Sequence, residues 1–392
     1  MSNSFDPRPW RAHFPILSTT TYLVTHSLGA MPAGVRGALA DYAETWATRG
    51  VRAWHEGWWE LPVTVGDQLA RLMNAPAGSV CMHTNVSDFQ SLLASCFDFT
   101  TERNRIVYSD QNFPTNMYVW EQRPGAEVVV VPAEPDGRVP LERLLEAIDE
   151  RTAVVPVSHV LFRSSWQQDA AAICARAREV GALVLLDTYQ SLGTVPVDVT
   201  GWDVDMAVGG SVKWLLGGPG AAYLYVRPEL QERLRPRSTG WAAHAEPFAF
   251  ETGPQRHAEG IRRFLTGTPP VPSLIAAQVG YSIVEEVGVS TIRAHSVRLL
   301  DRLTEQVREG GFEVFGPERS EDRGGTLTIA LDEGEDGAAF VSALDRRGFV
   351  IDHRPGAGLR VSPHFYTLEE ELDSFAAALG EVRSELRVGA TA

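Results

Sequence analysis

From Arg105 to Val226 the chain alternates short runs of β-branched and aliphatic residues with stretches whose apolar positions recur at helical spacing. That alternation permits few folds. Strands joined through helices build a mostly parallel sheet covered on both faces, so the expected class is α/β. Candidate strands are 105–108, 127–131, 153–157, 183–187, 206–209 and 221–226. Residues 141–148 place Leu141, Leu144, Leu145 and Ile148 on one helical face, and 169–180 reads as a helix stopped by Gly181 at its C-cap. Segments 28–48 and 61–75 are helical patterns interrupted by glycine and proline, and Pro269, Pro270 and Pro272 stiffen a turn before a long helical stretch over 274–307. The last part alternates again: strand 326–331, helix 338–347, strand 359–362 and helix 368–386, a second α/β layer outside the central sheet. At 392 residues and 44% hydrophobic, the chain can bury a large core. The expected division is an N-terminal segment 1–50 packing with a small domain, a large domain 51–270, and a small C-terminal domain 271–392.

A net charge of −15 argues against nucleic acid or an anionic membrane surface as partner. Cys81, Cys96 and Cys174 show no Cys-x-x-Cys spacing, which disfavours a disulfide scaffold and a structural zinc site. Cys81 and His83 alone are too few for a metal, and no metal is expected. Residues 1–14 are polar and broken by proline, so no secretory signal is visible, and no apolar run approaches transmembrane length. The expected location is cytoplasmic.

One residue stands apart. Lys213 is the only lysine, beside 34 arginines. Arginine serves wherever a cation suffices, so a surviving lysine points to what arginine cannot do: lose a proton and attack a carbonyl to form a Schiff base. Its setting, Gly209-Gly210-Ser211-Val212-Lys213-Trp214-Leu215-Leu216-Gly217-Gly218-Pro219-Gly220, is apolar and glycine-rich, which suits a desolvated amine. Asp187 ends the apolar run 182–186. The carboxyl end of a strand in an open parallel sheet faces the ligand crevice, where a carboxylate meets a cation or a donor. Gly217-Gly218-Pro219-Gly220 lacks the Gly-x-Gly-x-x-Gly order of a dinucleotide fingerprint.

Residues 187–198, Trp202-Asp203-Val204-Asp205 and the Lys213 segment together resemble the class V pyridoxal-phosphate enzymes, above all the kynureninases. The resemblance extends over Ser27-Leu28-Gly29-Ala30-Met31-Pro32, residues 61–72, Asn112-Phe113-Pro114-Thr115, Gly240-Trp241 with His244 and 247–249, Ile261 to Thr268, and Arg360 with Ser362, Pro363 and Tyr366. It implies the aspartate-aminotransferase fold, pyridoxal 5′-phosphate as cofactor, an amino acid as small-molecule substrate, and a homodimer with shared sites. Residue by residue, it implies that Lys213 holds the cofactor and shuttles protons and that Asp187 keeps the pyridine nitrogen protonated. Phe113 stacks on the ring, Thr84 and Asn85 open a phosphate-binding helix, and Gln190 and Trp241 contact the cofactor. Gly267 and Thr268 reach the phosphate from the neighbouring subunit. Arg360 clamps the substrate carboxylate, a bidentate task suited to its planar fork. His26, Trp58, His159 and His244 fall on the substrate side. Trp54, Trp58 and Trp59 read equally as a substrate mouth or as interface packing, and His159 as an acid/base or as a structural histidine.

Three positions depart from the kynureninase pattern. Val212 stands where a tyrosine or histidine precedes the lysine. Gln190 replaces a histidine, as in the cysteine desulfurase branch, and Asn116 replaces the aspartate after Phe-Pro-Thr. A persulfide-forming desulfurase would need a thiol near the carboxylate clamp, and residues 354–360 contain no cysteine. The expected activity is cleavage of a side-chain Cβ–Cγ bond that leaves alanine. The rivals are a class V aminotransferase or β-eliminating lyase, and a catalytically silent cofactor-binding protein.

Overall fold

The computed structural model describes residues 5–390. At its centre is a seven-stranded sheet built from β1 (Val80–His83), β2 (Arg105–Ser109), β3 (Glu127–Val131), β4 (Thr152–Ser158), β5 (Leu183–Asp187), β6 (Met206–Gly210) and β7 (Ala222–Val226). They lie in the order β1-β7-β6-β5-β4-β2-β3. β7 runs antiparallel to both neighbours and all other pairs are parallel. The α/β class and the six anticipated strands are as the sequence pattern implies. β1 lies outside that reading because four residues at the sheet edge carry too short a period to register.

Every residue of β4, β6 and β7 is buried, as strands covered on both faces require. Pleating divides each strand between two cores. Val184 and Leu186 enter one cluster with Val155, Val157 and Ala207, whereas Leu185 enters the other with Val154, Met206 and Val208. Residues 274–307 form two helices rather than one, Val271–Val287 and Val289–Glu309, because Gly288 turns the chain at φ +81°. The first of these carries Leu274, Ala277 and Tyr281 into the same core cluster as Val184 and Leu186.

The C-terminal part holds an antiparallel sheet of β8 (Val314–Phe315), β9 (Leu327–Ile329), β10 (Asp352–Arg354) and β11 (Gly358–Val361), ordered β10-β11-β9-β8. Its core includes Leu299, Leu303, Phe340, Leu359 and Phe375, together with Leu23 from the N-terminal segment. Thr21–Tyr22 pairs in parallel with Phe349–Val350, and Val24 bridges Ser362. These contacts carry the N-terminal turn across to the carboxyl ends of the central strands.

Candidate active site

Successive strands step away from β4 in one direction (β5, β6) and from β2 in the other (β3), so the strand order reverses between β4 and β2. Open α/β sheets bind ligands at such a switch point, outside the carboxyl ends. A cavity of about 260 Å³ lies there, lined by Phe113 after β2, Ser158 and Val160 at the end of β4, Asp187 ending β5 and Lys213 after β6.

The Lys213 amine sits 4.5 Å from the centre of the Tyr189 ring and 5.9 Å from that of Phe113. Desolvation lowers its pKa to about 7; Asp187 opposes the shift, and Arg360 and Arg354 reinforce it. A substantial fraction of the amine is therefore neutral and nucleophilic near neutral pH. The loop that carries it is tightly held. Ser211 donates to the carbonyl of Ala221, and Gly29 N–H donates to the carbonyl of Val212 at 2.6 Å. A Cβ on Gly29 would lie 2.3 Å from the Lys213 carbonyl oxygen, so the N-terminal turn fits only with glycine there.

Asp187 is 7% exposed. Burial pushes its carboxyl pKa up, while the Tyr189 N–H, the Asn116 amide and Lys213 favour the charged form. Gln190 donates through Nε2 to the His26 carbonyl at 3.1 Å and accepts from Trp214 Nε1 at 3.0 Å. Its second amide hydrogen remains for the cavity that it lines. Phe113 caps the helix Pro114–Glu121 and meets Phe162 edge-on at 5.3 Å. Asn85 caps the helix Val86–Ala94 by accepting from Asp88 N–H at 2.9 Å, and Val86 and Ser87 open the cavity wall at that helix start. Thr84 is turned to His83 and Asp88.

Other anticipated residues lie elsewhere. β4 runs one residue further than its pattern implies, so Ser158 and Val160 face the cavity and His159 faces away, edge-on to Trp202 at 5.1 Å. Its pKa is lowered to about 4 by burial, which leaves it neutral. Arg360 does not line the cavity. Its Nε donates to Asp352 Oδ1 at 2.8 Å, its Nη2 donates to the other carboxylate oxygen, and Nη1 donates to the Phe162 carbonyl at 2.9 Å. The arginine fork expected to meet a substrate carboxylate is thus filled by its cross-strand neighbour. His26 is buried, with Nε2 3.0 Å from the same carboxylate and Nδ1 2.7 Å from Ser362 Oγ. A carboxylate only accepts, so the ring proton sits on Nε2.

Trp58 packs on Tyr42 and Trp54. Trp241 packs at a tilt on Trp59 at 5.0 Å, in an aromatic patch with Phe248 and Phe250, and His244 accepts from Glu246 N–H at 3.0 Å. Gly267 and Thr268 line a small cleft with Trp59 and His83. Within one chain none of these five reaches the Lys213 cavity. Sequence reasoning passed over Tyr189, Ser87 and Phe162 as wall residues. Tyr189 had a signal, since it lies two residues after the strand-ending aspartate.

A family model described as Aminotransferase class-V matches residues 22–375. The chain belongs to the class V aminotransferase family. It is 32% identical to an uncharacterized aminotransferase, YcbU, of Bacillus subtilis, covering 93% of this chain and 95% of that protein. It is also 32% identical to a kynureninase of Pseudomonas fluorescens, covering 95% and 92% respectively. Among solved structures, a cysteine desulfurase from Thermococcus onnurineus superposes with TM-score 0.85 at 19% identity, over 97% of this chain and 99% of that one. The cystine C-S lyase C-DES superposes with TM-score 0.85 at 20% identity, over 94% and 99%. These two share the fold. The cofactor is pyridoxal 5′-phosphate. The cavity suits it: a desolvated lysine amine, a buried carboxylate at a strand end, an aromatic wall and a helix start converge on one space.

Proposed function

We propose that this class V enzyme cleaves the Cβ–Cγ bond of a kynurenine-like α-amino acid and releases alanine. The observation that carries the reading is the Lys213 amine, desolvated to a pKa of about 7, facing Asp187 across one cavity in a chain whose kynureninase relatives match it over most of its length. The bound cofactor supplies an electron sink for the substrate's α-carbon. Lys213 attaches the cofactor covalently and, once displaced by substrate, moves the α-proton. Asp187 holds the proton on the ring nitrogen, Phe113 and Tyr189 confine the ring, and Gln190 offers its free N–H to the ring oxygen. The helix start at Asn85, Val86 and Ser87 receives the phosphate. Arg360 serves the substrate carboxylate only after it shares or exchanges Asp352.

The test has two stages. Borohydride reduction of the holoprotein is expected to fix the cofactor on the Lys213 peptide by mass spectrometry. Incubation with kynurenine is then expected to yield alanine and an aromatic acid. No alanine from kynurenine or its ring-substituted relatives would overturn the cleavage reading.

A specific observation favours the second reading, a class V aminotransferase or β-eliminating lyase. Val212 has no side-chain donor, and Gln190 rather than a histidine lines the cavity. Conversion of the cofactor to its amino form by an amino acid would mark transamination, and pyruvate with ammonia would mark elimination. A persulfide route lacks its thiol: none of the three cysteines lines the cavity, and burial pushes the thiols of Cys96 and Cys174 up to about 12. The exposed aromatic patch at Trp241 and Phe250 and the remote position of Thr268 support a homodimer in which Gly267 and Thr268 complete the neighbour's site.

A further inference from the structure

Behind Asp187 lies a polar chain that the proposed reaction does not itself require. Asn116 opens the helix Pro114–Glu121, Trp120 stands one turn later on the same face, and Gln90 reaches both from the helix Val86–Ala94. All three side chains are fully buried, with Trp120 in the apolar cluster beneath the sheet. The indole N–H can only donate, and it donates to Gln90 Oε1 at 3.0 Å. That contact decides the orientation of the next amide, because Gln90 must then present Nε2 to Asn116 Oδ1. Asn116 in turn has only its own NH2 left for the cavity side. One hydrogen of it reaches Ser158 Oγ at 3.3 Å, and the amide lines the cavity with Asp187, the register partner of Ser158, whose charged form it favours. The reverse polarity would set the indole N–H against an amide N–H in a dry core.

We propose that Asn116 is a positioning residue for the cofactor's ring nitrogen: the relay Trp120→Gln90→Asn116 delivers a fixed N–H to Asp187 and so keeps that carboxylate available as an anion. An uncharged donor at this position acts unlike a second carboxylate, which would compete with Asp187 for one proton. Here the donor favours the charged form of Asp187 without adding charge to the cavity.

The inference rests on pyridoxal-phosphate binding, and the test separates the two. The wild-type holoprotein carrying cofactor labelled with ¹⁵N in the ring is expected to show a pyridinium resonance, and Asn116→Leu is expected to move it toward neutral pyridine. The same variant is expected to weaken cofactor binding about ten-fold, the worth of one hydrogen bond to a charged group. Asn116→Ala asks less of the core and is expected to shift the resonance the same way. Gln90→Leu releases the orientation and is expected to shift it less. A merely structural role would lower the melting temperature and leave the ring's protonation unchanged. An unshifted resonance in both Asn116 variants overturns the proposal, and a Gln90→Leu protein identical to wild type overturns the relay. A wild-type protein that takes up no cofactor at Lys213 overturns the functional reading, and the relay with it.

Discussion

At the scale of residues, one buried and one half-buried charge define what can be measured. Lys213 carries a proton poorly because its amine has lost water without gaining a full counter-ion. Its folded pKa, about 7, lies below the unfolded value of 10.5. The penalty is therefore full below pH 7, declines as pH rises, and is gone above the unfolded value. Cofactor-free Lys213→Met is expected to melt above cofactor-free wild type at pH 6.5, with the gap shrinking by pH 9.5 in calorimetry. Asp352 is the opposite case. Its carboxyl is held well below the ordinary range by hydrogen bonds from His26 and Arg360, against the cost of its burial. Its contribution is present above the unfolded carboxylate pKa and is lost only as pH falls through the lower folded one. Asp352→Ala leaves the Arg360 guanidinium, 3% exposed, without its partner. The expected loss is about 3 kcal/mol in denaturant unfolding at pH 7. A loss under about 1 kcal/mol would show that the pair is not the main anchor of Arg360.

Among elements, the loop after β6 and the N-terminal turn act as one unit. Ser27–Pro32 was legible as a motif, but its partner was not, because 184 residues separate Gly29 from Lys213. Only the fold shows that Gly29 is bare so that the Lys213 carbonyl can approach. Gly29→Ala is expected to keep the far-ultraviolet spectrum of wild type while reducing borohydride-trapped cofactor at Lys213 at least ten-fold. Normal trapping would show that the turn yields without moving the lysine. Strand ends show how fine the margin is. The pattern ended β4 at Val157, the ladder with β5 continues to Ser158, and one residue of pleat sends His159 to the far face.

For the molecule as a whole, the central question is whether a site is complete in one chain. Gly267 and Thr268 lie in their own cleft, away from the cavity of the same chain. If the chain forms a homodimer with shared sites, Lys213→Ala and Thr268→Ala proteins, each impaired alone, should recover cofactor trapping when mixed through a denaturation and refolding cycle. Each mixed dimer then holds one intact site. No recovery, with mixed dimers confirmed by mass, would place Thr268 outside the neighbour's site.

The sequence by itself determined the α/β class, the strands β2 to β7 of the central sheet, the cofactor, and the two residues whose types have no substitute: a lone lysine and a strand-ending aspartate. Local periodicity and side-chain chemistry are written in neighbouring positions, so they survive without coordinates. What the tertiary structure alone decided is orientation and occupancy. Arg360 faces Asp352 because two strands pair in a given register, Trp120 settles the direction of Asn116 because two helices pack, and His159 turns away because a strand runs one residue further. Each depends on contacts between segments far apart in the chain or on a register that no single segment encodes.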